Sequence, residues 1–216
     1  MPDISLEKRN DLLGTHVVNA LKNRHFEAYY YKTSNDAVEK ILQLLPKKES
    51  VSWGGSTTIE EIGLLKRIRS EYDLALDRDK TTTIADRYEA MQRAFFCDNY
   101  LMSANAVSED GQLVNVDGNG NRVAAMAFGP KRVIVVAGIN KVVKTLDDAI
   151  VRARTYASPI NAQRVPCLNL KTPCTVTGTC ENCKTADCIC TYIVTTRISR
   201  PKGRIHVVLI GETLGF

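Results

Sequence analysis

The chain has 216 residues and a formal net charge of +5, and 44% of its residues are hydrophobic and 25% charged. These proportions are typical of a soluble globular protein, and a chain of this length buries enough surface to fold without disulfides. No run of Lys and Arg resembles a nucleic-acid-binding tail, and no apolar run approaches the ~20 residues that span a bilayer. The first residues lack the apolar core of a signal peptide, so we expect a cytoplasmic protein with neither a nucleic-acid partner nor a membrane span.

Helical and strand-like patterns alternate along most of the chain. Apolar residues at helical spacing predict helices over 5–24, 37–45, 60–70, 84–96 and after Thr145, the last of them ending before Pro159. Short apolar runs predict strands over 26–31, 49–53, 72–76, 100–107, 133–137, 191–198 and 205–210. Such alternation predicts an α/β fold with a largely parallel sheet, and we treat residues 1–216 as one domain.

A glycine loop follows the second predicted strand. It consists of Gly54, Gly55, Ser56 and Thr57. A strand, a glycine loop and a helix in this order present free backbone N–H groups, which favours binding of an anion or a phosphoryl group. The same residues also suit a plain tight turn, because Thr57 and Thr58 each have a Glu at capping-box spacing. The loop has neither the Walker ending nor the glycine spacing of dinucleotide-binding proteins.

The stretch from residue 103 to residue 141 carries the strongest turn signals. Residues 109–111 predict a hairpin turn. Five consecutive residues tolerate a positive φ: Asp117, Gly118, Asn119, Gly120 and Asn121. Arg122 follows them directly. They predict either a ligand-binding loop or only a hairpin tip. The apolar run 133–137 predicts a strand buried on both faces that brings Asn140 and Lys141 to its carboxyl end, where open α/β sheets bind ligands.

Six of the seven cysteines lie in one segment, 167–190, in which the apolar periodicity disappears. Cys174, Cys180 and Cys183 have the spacing Cys-x5-Cys-x2-Cys, and either Cys188 or Cys190 can supply a fourth thiolate. Because stable disulfides are disfavoured in the cytosol, this pattern predicts a metal site, an iron–sulfur cluster or zinc. The alternative is a loop of free or oxidised thiols. Cys167 is interpreted as incidental, and Cys97 as a small core residue.

Several of these segments together resemble one known family. They are WGGSTTIEEIGL (53–64), the whole stretch 103–141, residues 159–164, PCTVTGTCENC (173–183) and the terminal ETLGF. The chain resembles the lactate-utilisation (LUD-domain) family, and in particular its bacterial branch with a cysteine-rich segment. This resemblance implies a mostly parallel open sheet with helices on both faces, similar to the ribose-5-phosphate isomerase and CoA-transferase superfamily.

The resemblance also implies roles for individual residues. Gly54, Gly55, Ser56 and Thr57 would form the anion-binding turn. The cleft would be lined by Asn105 and by Asp117, Gly118, Asn119, Gly120, Asn121 and Arg122, with Asn140 and Lys141 at the end of a neighbouring strand. The metal ligands would be Cys174, Cys180, Cys183 and Cys190. The family has a basic residue where Cys188 stands here, which keeps Cys188 as the alternative fourth ligand.

Three functions remain open at this point. The first is an iron–sulfur component of lactate or 2-hydroxy acid utilisation that binds a small anionic metabolite and acts with electron-transfer partners, since the chain has no nicotinamide or flavin motif. The second is a stand-alone isomerase or transferase for a phosphorylated sugar or a CoA thioester, with Asp117 or Glu109 as base and Lys141 or Arg122 stabilising an oxyanion. The third is a binding or regulatory protein with structural zinc. Whether the chain is an enzyme and whether it forms a homo-oligomer stay undecided.

Overall fold

The computed structural model describes residues 4–164 and 170–216. The helices in these ranges are α1 (Ile4–Asn23), α2 (Ser34–Leu44), α3 (Thr57–Glu61), α4 (Leu64–Glu71), α5 (Ile84–Arg93), α6 (Asn121–Ala127), α7 (Leu146–Arg152), α8 (Ser158–Arg164) and α9 (Pro173–Thr177). The strands are β1 (Glu27–Tyr31), β2 (Val51–Trp53), β3 (Ala75–Leu76), β4 (Asn99–Met102), β5 (Ala106–Ser108), β6 (Leu113–Asp117), β7 (Arg132–Gly138), β8 (Val142–Val143), β9 (Tyr192–Thr196) and β10 (Ile205–Ile210).

The main sheet has six strands in the order β1-β10-β7-β4-β2-β3, and every neighbouring pair is parallel. Its centre is β7, the strand predicted from the apolar run 133–137, which is almost wholly buried. Parallel sheets need cover on both faces, so a continuous apolar strand is what this position requires. The prediction of an α/β fold with a mostly parallel sheet is confirmed.

Alternate residues of the central strands point to two separate cores. Val133 and Val135 pack on one face with α1, α6 and the second sheet. Ile134 and Val136 pack on the other face with α2, α3 and α4. Because successive side chains of a strand point in opposite directions, β7 contributes to both cores at once. The helices therefore cover both faces, as expected.

A second sheet has the order β8-β5-β6-β9 and mixes parallel and antiparallel pairs. Its outer face is covered by Ala149 of α7 and by Ala153, the residue that follows this helix. The predicted strand 100–107 is therefore wrong as a single element. It is two strands, β4 in the main sheet and β5 in the second, and Ser103, Ala104 and Asn105 connect them. A continuous apolar pattern cannot show that the chain changes sheets between two strands.

The helix after Thr145 also differs from its prediction, because it does not end before Pro159. It passes through a π-helical turn, Ala153–Ala157, and continues as α8 to Arg164. Pro159 has no N–H to donate to the carbonyl four residues earlier, so the wider turn accommodates it. Cys167 lies outside the described residues. Among the helices that the structure describes, none is long and apolar enough to cross a membrane.

Candidate functional site

The glycine loop lies at the carboxyl ends of β2 and β4, before α3. Ser56 is the N-cap of α3, and its hydroxyl accepts a hydrogen bond from the Ile59 N–H at 3.4 Å. The capping boxes predicted from Thr57 and Thr58 therefore do not form, because the helix begins one residue earlier than a Thr57 cap requires and two residues earlier than a Thr58 cap requires. The Thr57 hydroxyl is buried and has no hydrogen-bond partner in the described structure. A buried hydroxyl without a partner is rare and points to a bound group or water.

Gly54 allows an arginine to approach the loop. A Cβ atom at this position would lie 2.6 Å from both Cγ and Cδ of Arg122 and 3.0 Å from the Tyr100 hydroxyl. Arg122 reaches this place from the start of α6, and its guanidinium contacts the Val116 carbonyl at 3.4 Å and lies 3.8 Å from the Asp117 carboxylate. The glycine is therefore needed for the close contact between the loop and Arg122.

Lys141 follows the central strand β7 and is 3% exposed. Its Nζ donates to the Thr58 hydroxyl at 2.8 Å, to the Ser103 hydroxyl at 3.0 Å and to the Ala104 carbonyl at 3.3 Å. All three acceptors are neutral. In the described part of the chain, no carboxylate forms a salt bridge with this amine.

The surroundings of Lys141 disfavour its charged form. Burial, then the guanidinium groups of Arg152 and Arg122, lower its pKa to about 7, and the Glu61 carboxylate opposes this. The Glu61 carboxylate is itself used, because it accepts a hydrogen bond from the Gly215 N–H at 2.6 Å. A buried lysine without a counter-ion titrates near neutral pH and is a candidate functional group.

These groups surround one cavity of about 50 Å³. Its cationic lining residues are Arg122, Lys141 and Arg164. Its polar neutral lining residues are Ser56, Thr57, Thr58, Ser103, Asn105, Ser158 and Asn161. No acidic side chain lines this cavity among the residues that the structure describes. Below we call it the Lys141 cavity. Its charge and its hydrogen-bond donors suit a small anion.

Helix α8 contributes residues that sequence reasoning did not assign to the site. Ser158, Asn161 and Arg164 line the cavity from this helix. A Cβ atom on Gly55 would lie 3.4 Å from an Nη atom of Arg164, so this side chain approaches the glycine loop. A polar face at helical spacing was the available signal, but the expected helix end at Pro159 concealed it.

A second arginine near the glycine loop was also missed. Arg78 follows β3, its side chain is 11% exposed, and its Nε is buried without a hydrogen-bond partner. Burial lowers its pKa, and so does the positive charge of Arg87. Arg78 stands 23 positions after Gly55, which it approaches in the fold, and no local pattern distinguishes it from a surface arginine.

The predicted cleft loop 117–122 divides into two parts. Arg122 lines the Lys141 cavity, and Asn105 does so from the adjacent connection. The Asp117 carboxylate accepts hydrogen bonds from the N–H groups of Gly120 and Arg122 at 3.0 Å and of Val123 at 3.3 Å. This carboxylate therefore organises the loop and the start of α6, and it does not line the cavity.

The glycines of this loop face the cysteine-rich segment and the first residue of β9. A Cβ atom on Gly118 would lie 3.3 Å from the Ile189 Cα atom, and one on Gly120 would lie 2.9 Å from the Tyr192 ring. Asn119 and Asn121 do not line the Lys141 cavity, although Asn121 lies in hydrogen-bonding contact with Tyr100. The loop thus packs between the cavity and the cysteines.

Other predicted candidates lie away from the cavity lining. The Asn140 amide accepts from the Leu214 N–H at 3.1 Å and donates to the Gly215 carbonyl at 3.3 Å, so it holds the last residues of the chain in place. Glu109 forms a salt bridge with Lys144 at 2.6 Å on another surface.

Five cysteines converge on a second cavity of about 60 Å³, here called the cysteine cavity. They are Cys174, Cys180, Cys183, Cys188 and Cys190, all of them free thiols. Burial raises the pKa of the Cys190 thiol to about 11. Soft thiolate donors suit zinc or an iron–sulfur cluster. In residues 4–164 and 170–216, however, no three His, Cys, Asp or Glu side chains are arranged as a metal site. The donor type fits a metal, whereas the arrangement of the thiols is not that of a loaded site.

The two cavities adjoin. Ser158 lines both of them, and Ile189, which lines the Lys141 cavity, stands between Cys188 and Cys190 in the sequence. The π-helical turn positions Ser158 here, since its N–H and its hydroxyl both donate to the Ala153 carbonyl. π-Helical turns are frequent at functional sites. Sequence alone could not give this proximity.

Comparisons with known proteins agree with this architecture. The model of a family described as the LUD domain matches residues 14–210. A crystal structure of a DUF162 family protein from Deinococcus radiodurans has a TM-score of 0.52 and 12% sequence identity, and the match covers 94% of this chain and 98% of that chain. At this identity the likeness shows the fold alone. No curated protein sequence gave a significant match.

Proposed function

We propose, from the premise that this chain belongs to the LUD-domain family, that it binds a small carboxylate of the 2-hydroxy or 2-oxo acid class in the Lys141 cavity. The family is associated with lactate utilisation. The observation that carries the proposal is the Lys141 amine, which is buried beside two arginines and has no carboxylate partner in the described residues. A bound carboxylate supplies the missing negative charge.

The size of the cavity supports a small ligand. One water needs about 10–15 Å³ on the same measure, so a cavity of about 50 Å³ has room for roughly four groups of that size. Arg122 and Arg164 can present paired N–H donors to a carboxylate, and the unpartnered Thr57 hydroxyl can donate to a second oxygen. The alternatives with a phosphorylated sugar or a CoA thioester use the same cations but leave most of the ligand outside.

The shift in melting temperature tests this proposal. Lactate and pyruvate are expected to stabilise the protein, because a ligand that binds only the folded state at a hundred times its Kd adds about 2.7 kcal/mol. Lactamide, which has the shape of lactate without its charge, is expected to leave the melting temperature unchanged. Equal stabilisation by lactamide would overturn the proposal, and a larger effect of ribose 5-phosphate or CoA would favour the alternative.

Variants locate the binding. Lys141→Met removes the amine and keeps an unbranched chain of similar length, and it should abolish the lactate effect. Lys144→Met is the matched control, since Lys144 is exposed and pairs with Glu109 outside the cavity. A lactate effect that survives in Lys141→Met, or is lost in Lys144→Met, contradicts the assignment.

We further propose that the cysteine cavity holds an iron–sulfur cluster through Cys174, Cys180, Cys183 and either Cys190 or Cys188, with zinc as the alternative metal. When bound, a cluster would exchange single electrons with partner proteins. The support is that five free thiols line one small cavity next to the anion cavity. Protein purified without oxygen should contain stoichiometric iron; zinc alone indicates a structural site, and no metal overturns this part.

Serine substitution identifies the fourth ligand. Cys190→Ser should reduce the metal content and Cys188→Ser should not, if the pattern of the family applies here. The control is Cys97→Ala, because Cys97 is buried and lies far from the cysteine-rich segment in the sequence. Loss of metal in Cys97→Ala would mean that the metal is held elsewhere.

A further inference from the structure

We propose that Lys141 is a nucleophile: its amine attacks the carbonyl carbon of a 2-oxo acid in the Lys141 cavity and forms an imine. This inference rests on the proposed function and specifies it, since it requires a carbonyl next to the carboxylate. The bond formed is C=N, the bond broken is C=O, and the carbonyl oxygen leaves as water with the two amine hydrogens. No oxidant or reductant is needed.

The position of the amine supports this role. Lys141 ends the short 3-10 helix, Ile139–Lys141, that follows the central strand, and its side chain lines the cavity, where Nζ contacts the hydroxyls of Thr58 and Ser103. A rigid, buried strand end holds a reacting group more precisely than a surface loop does. A lysine in this position has few accessible rotamers, because its amine makes three hydrogen bonds.

The charges around Lys141 favour the neutral amine that such an attack needs. The cationic groups whose charges act on it are Arg152 and Arg122, and the Glu61 carboxylate, which opposes them, accepts a hydrogen bond from the Gly215 N–H. Burial and these cations bring its pKa to about 7, so a large fraction of the amine is uncharged at neutral pH. Desolvation and a neighbouring cation are the two usual ways to activate a lysine nucleophile.

Two hydroxyl groups can move the protons of the reaction. The Thr58 and Ser103 hydroxyls accept hydrogen bonds from Nζ at 2.8 and 3.0 Å and lie 3.4 Å from each other. The attack first gives a carbinolamine, which loses water only when its oxygen gains a proton. A hydroxyl pair at this distance can pass protons between nitrogen and oxygen. Neither hydroxyl has an acidic side chain as its hydrogen-bond partner in the described structure.

The arginines of the cavity complete the assignment. Arg122 and Arg164 can hold the carboxylate of the 2-oxo acid, which leaves its adjacent carbonyl carbon for the amine. A phosphate or another anion without a carbonyl fits the same cations and cannot form the imine. The chemistry therefore separates a 2-oxo acid from other anionic ligands of this cavity.

Reduction with sodium borohydride tests the proposal on the full-length protein. In the presence of pyruvate, the intact mass should increase by the mass of pyruvic acid less one oxygen atom, once per chain. Peptide mapping of the wild-type protein should place the added group on Lys141. No added mass, or a group spread over exposed lysines in proportion to their exposure, overturns the inference.

Two variants distinguish covalent chemistry from binding. Lys141→Arg keeps a cation in the cavity but cannot form an imine, so trapping should fall at least tenfold. Lys144→Arg alters an exposed lysine outside the cavity and should trap as the wild type does. If pyruvate raises the melting temperature of the wild type and no adduct forms, the imine is wrong while the proposed function stands. If neither pyruvate nor lactate raises the melting temperature and no adduct forms, both are wrong.

Discussion

The amine of Lys141 donates a hydrogen bond of 2.8 Å to the hydroxyl of Thr58 and thereby joins the end of the central strand to the glycine-loop helix. The two residues are 83 positions apart in the chain. Proteins usually pair a buried lysine with a carboxylate. Here the amine is hydrogen-bonded to neutral oxygens instead. A negatively charged ligand can therefore pair with the lysine.

The pH dependence of stability should report the buried amine. Because the pKa of Lys141 is lowered from 10.5 to about 7, the unfolded chain binds a proton that the folded chain lacks between these values. Stability due to this group therefore rises with pH across that window, by about 1.4 kcal/mol per pH unit, and is constant below it. Lys141→Met lacks this contribution.

Urea unfolding of the wild type and of Lys141→Met at several pH values measures the effect. The other titrating groups are common to both proteins and cancel in the difference. The wild type should gain stability relative to the variant as the pH rises above about 7. If the free energies of unfolding of the two proteins change in parallel with pH throughout this range, Lys141 titrates as an ordinary lysine.

Gly54→Ala should weaken anion binding. The new methyl group would lie 2.6 Å from Arg122 side-chain carbons, so the arginine has to leave its position. Loss of one charged hydrogen-bond donor to a carboxylate costs about 1.5–3 kcal/mol, which is roughly a ten- to hundredfold loss in affinity. Lys144→Met is the control, because Lys144 is exposed and pairs with Glu109 outside the cavity. Equal losses in both variants, measured by titration with lactate, would contradict this account.

Asp117→Ala should destabilise the fold by about 2–3 kcal/mol. The carboxylate accepts three backbone N–H groups at 3.0 to 3.3 Å and is 4% exposed, so its removal leaves buried donors unsatisfied. Asp73→Ala is the control, since Asp73 is exposed and a surface substitution of this kind usually stays within about 0.5 kcal/mol. If Asp117 is a catalytic base instead, Asp117→Ala will keep wild-type stability in urea and lose only activity.

Metal removal should weaken lactate binding. Ile189 lines the Lys141 cavity, lies next to Gly118, and is flanked by Cys188 and Cys190. The proposed metal, if held by either cysteine, would fix this wall, so chelation should lower the lactate affinity several-fold as well as the melting temperature. The linkage is reciprocal, and lactate should slow metal loss to a chelator. Identical lactate titrations of loaded and chelated protein would show that the two cavities act independently.

The parts of the fold that sequence could predict were those set by local pattern. The run 133–137 is apolar without interruption, which only a strand covered on both faces tolerates, and Thr145 has the capping geometry expected at the start of α7. The hairpin turn at 109–111 also forms as expected, between β5 and β6.

The remaining features depend on contacts between distant segments. Lys141 looks like a loop lysine in the sequence, and only the packing of Thr58 and Ser103 around it shows that it is buried. The second sheet requires β9 to pair with β6 across some 80 residues, which no local pattern encodes. Arg164 was missed because the expected stop at Pro159 concealed the π-helical turn.

The most direct test of the account is calorimetric titration of lactate at about pH 8, in two buffers that differ in ionisation enthalpy. Lactate has no carbonyl to form an imine, so the measurement isolates binding. A carboxylate next to Lys141 favours its ammonium form, and the account predicts saturable binding with uptake of close to one proton, lost together with affinity in Lys141→Met. Absence of binding, or equal affinity and equal proton uptake in Lys141→Met and wild type, would contradict it.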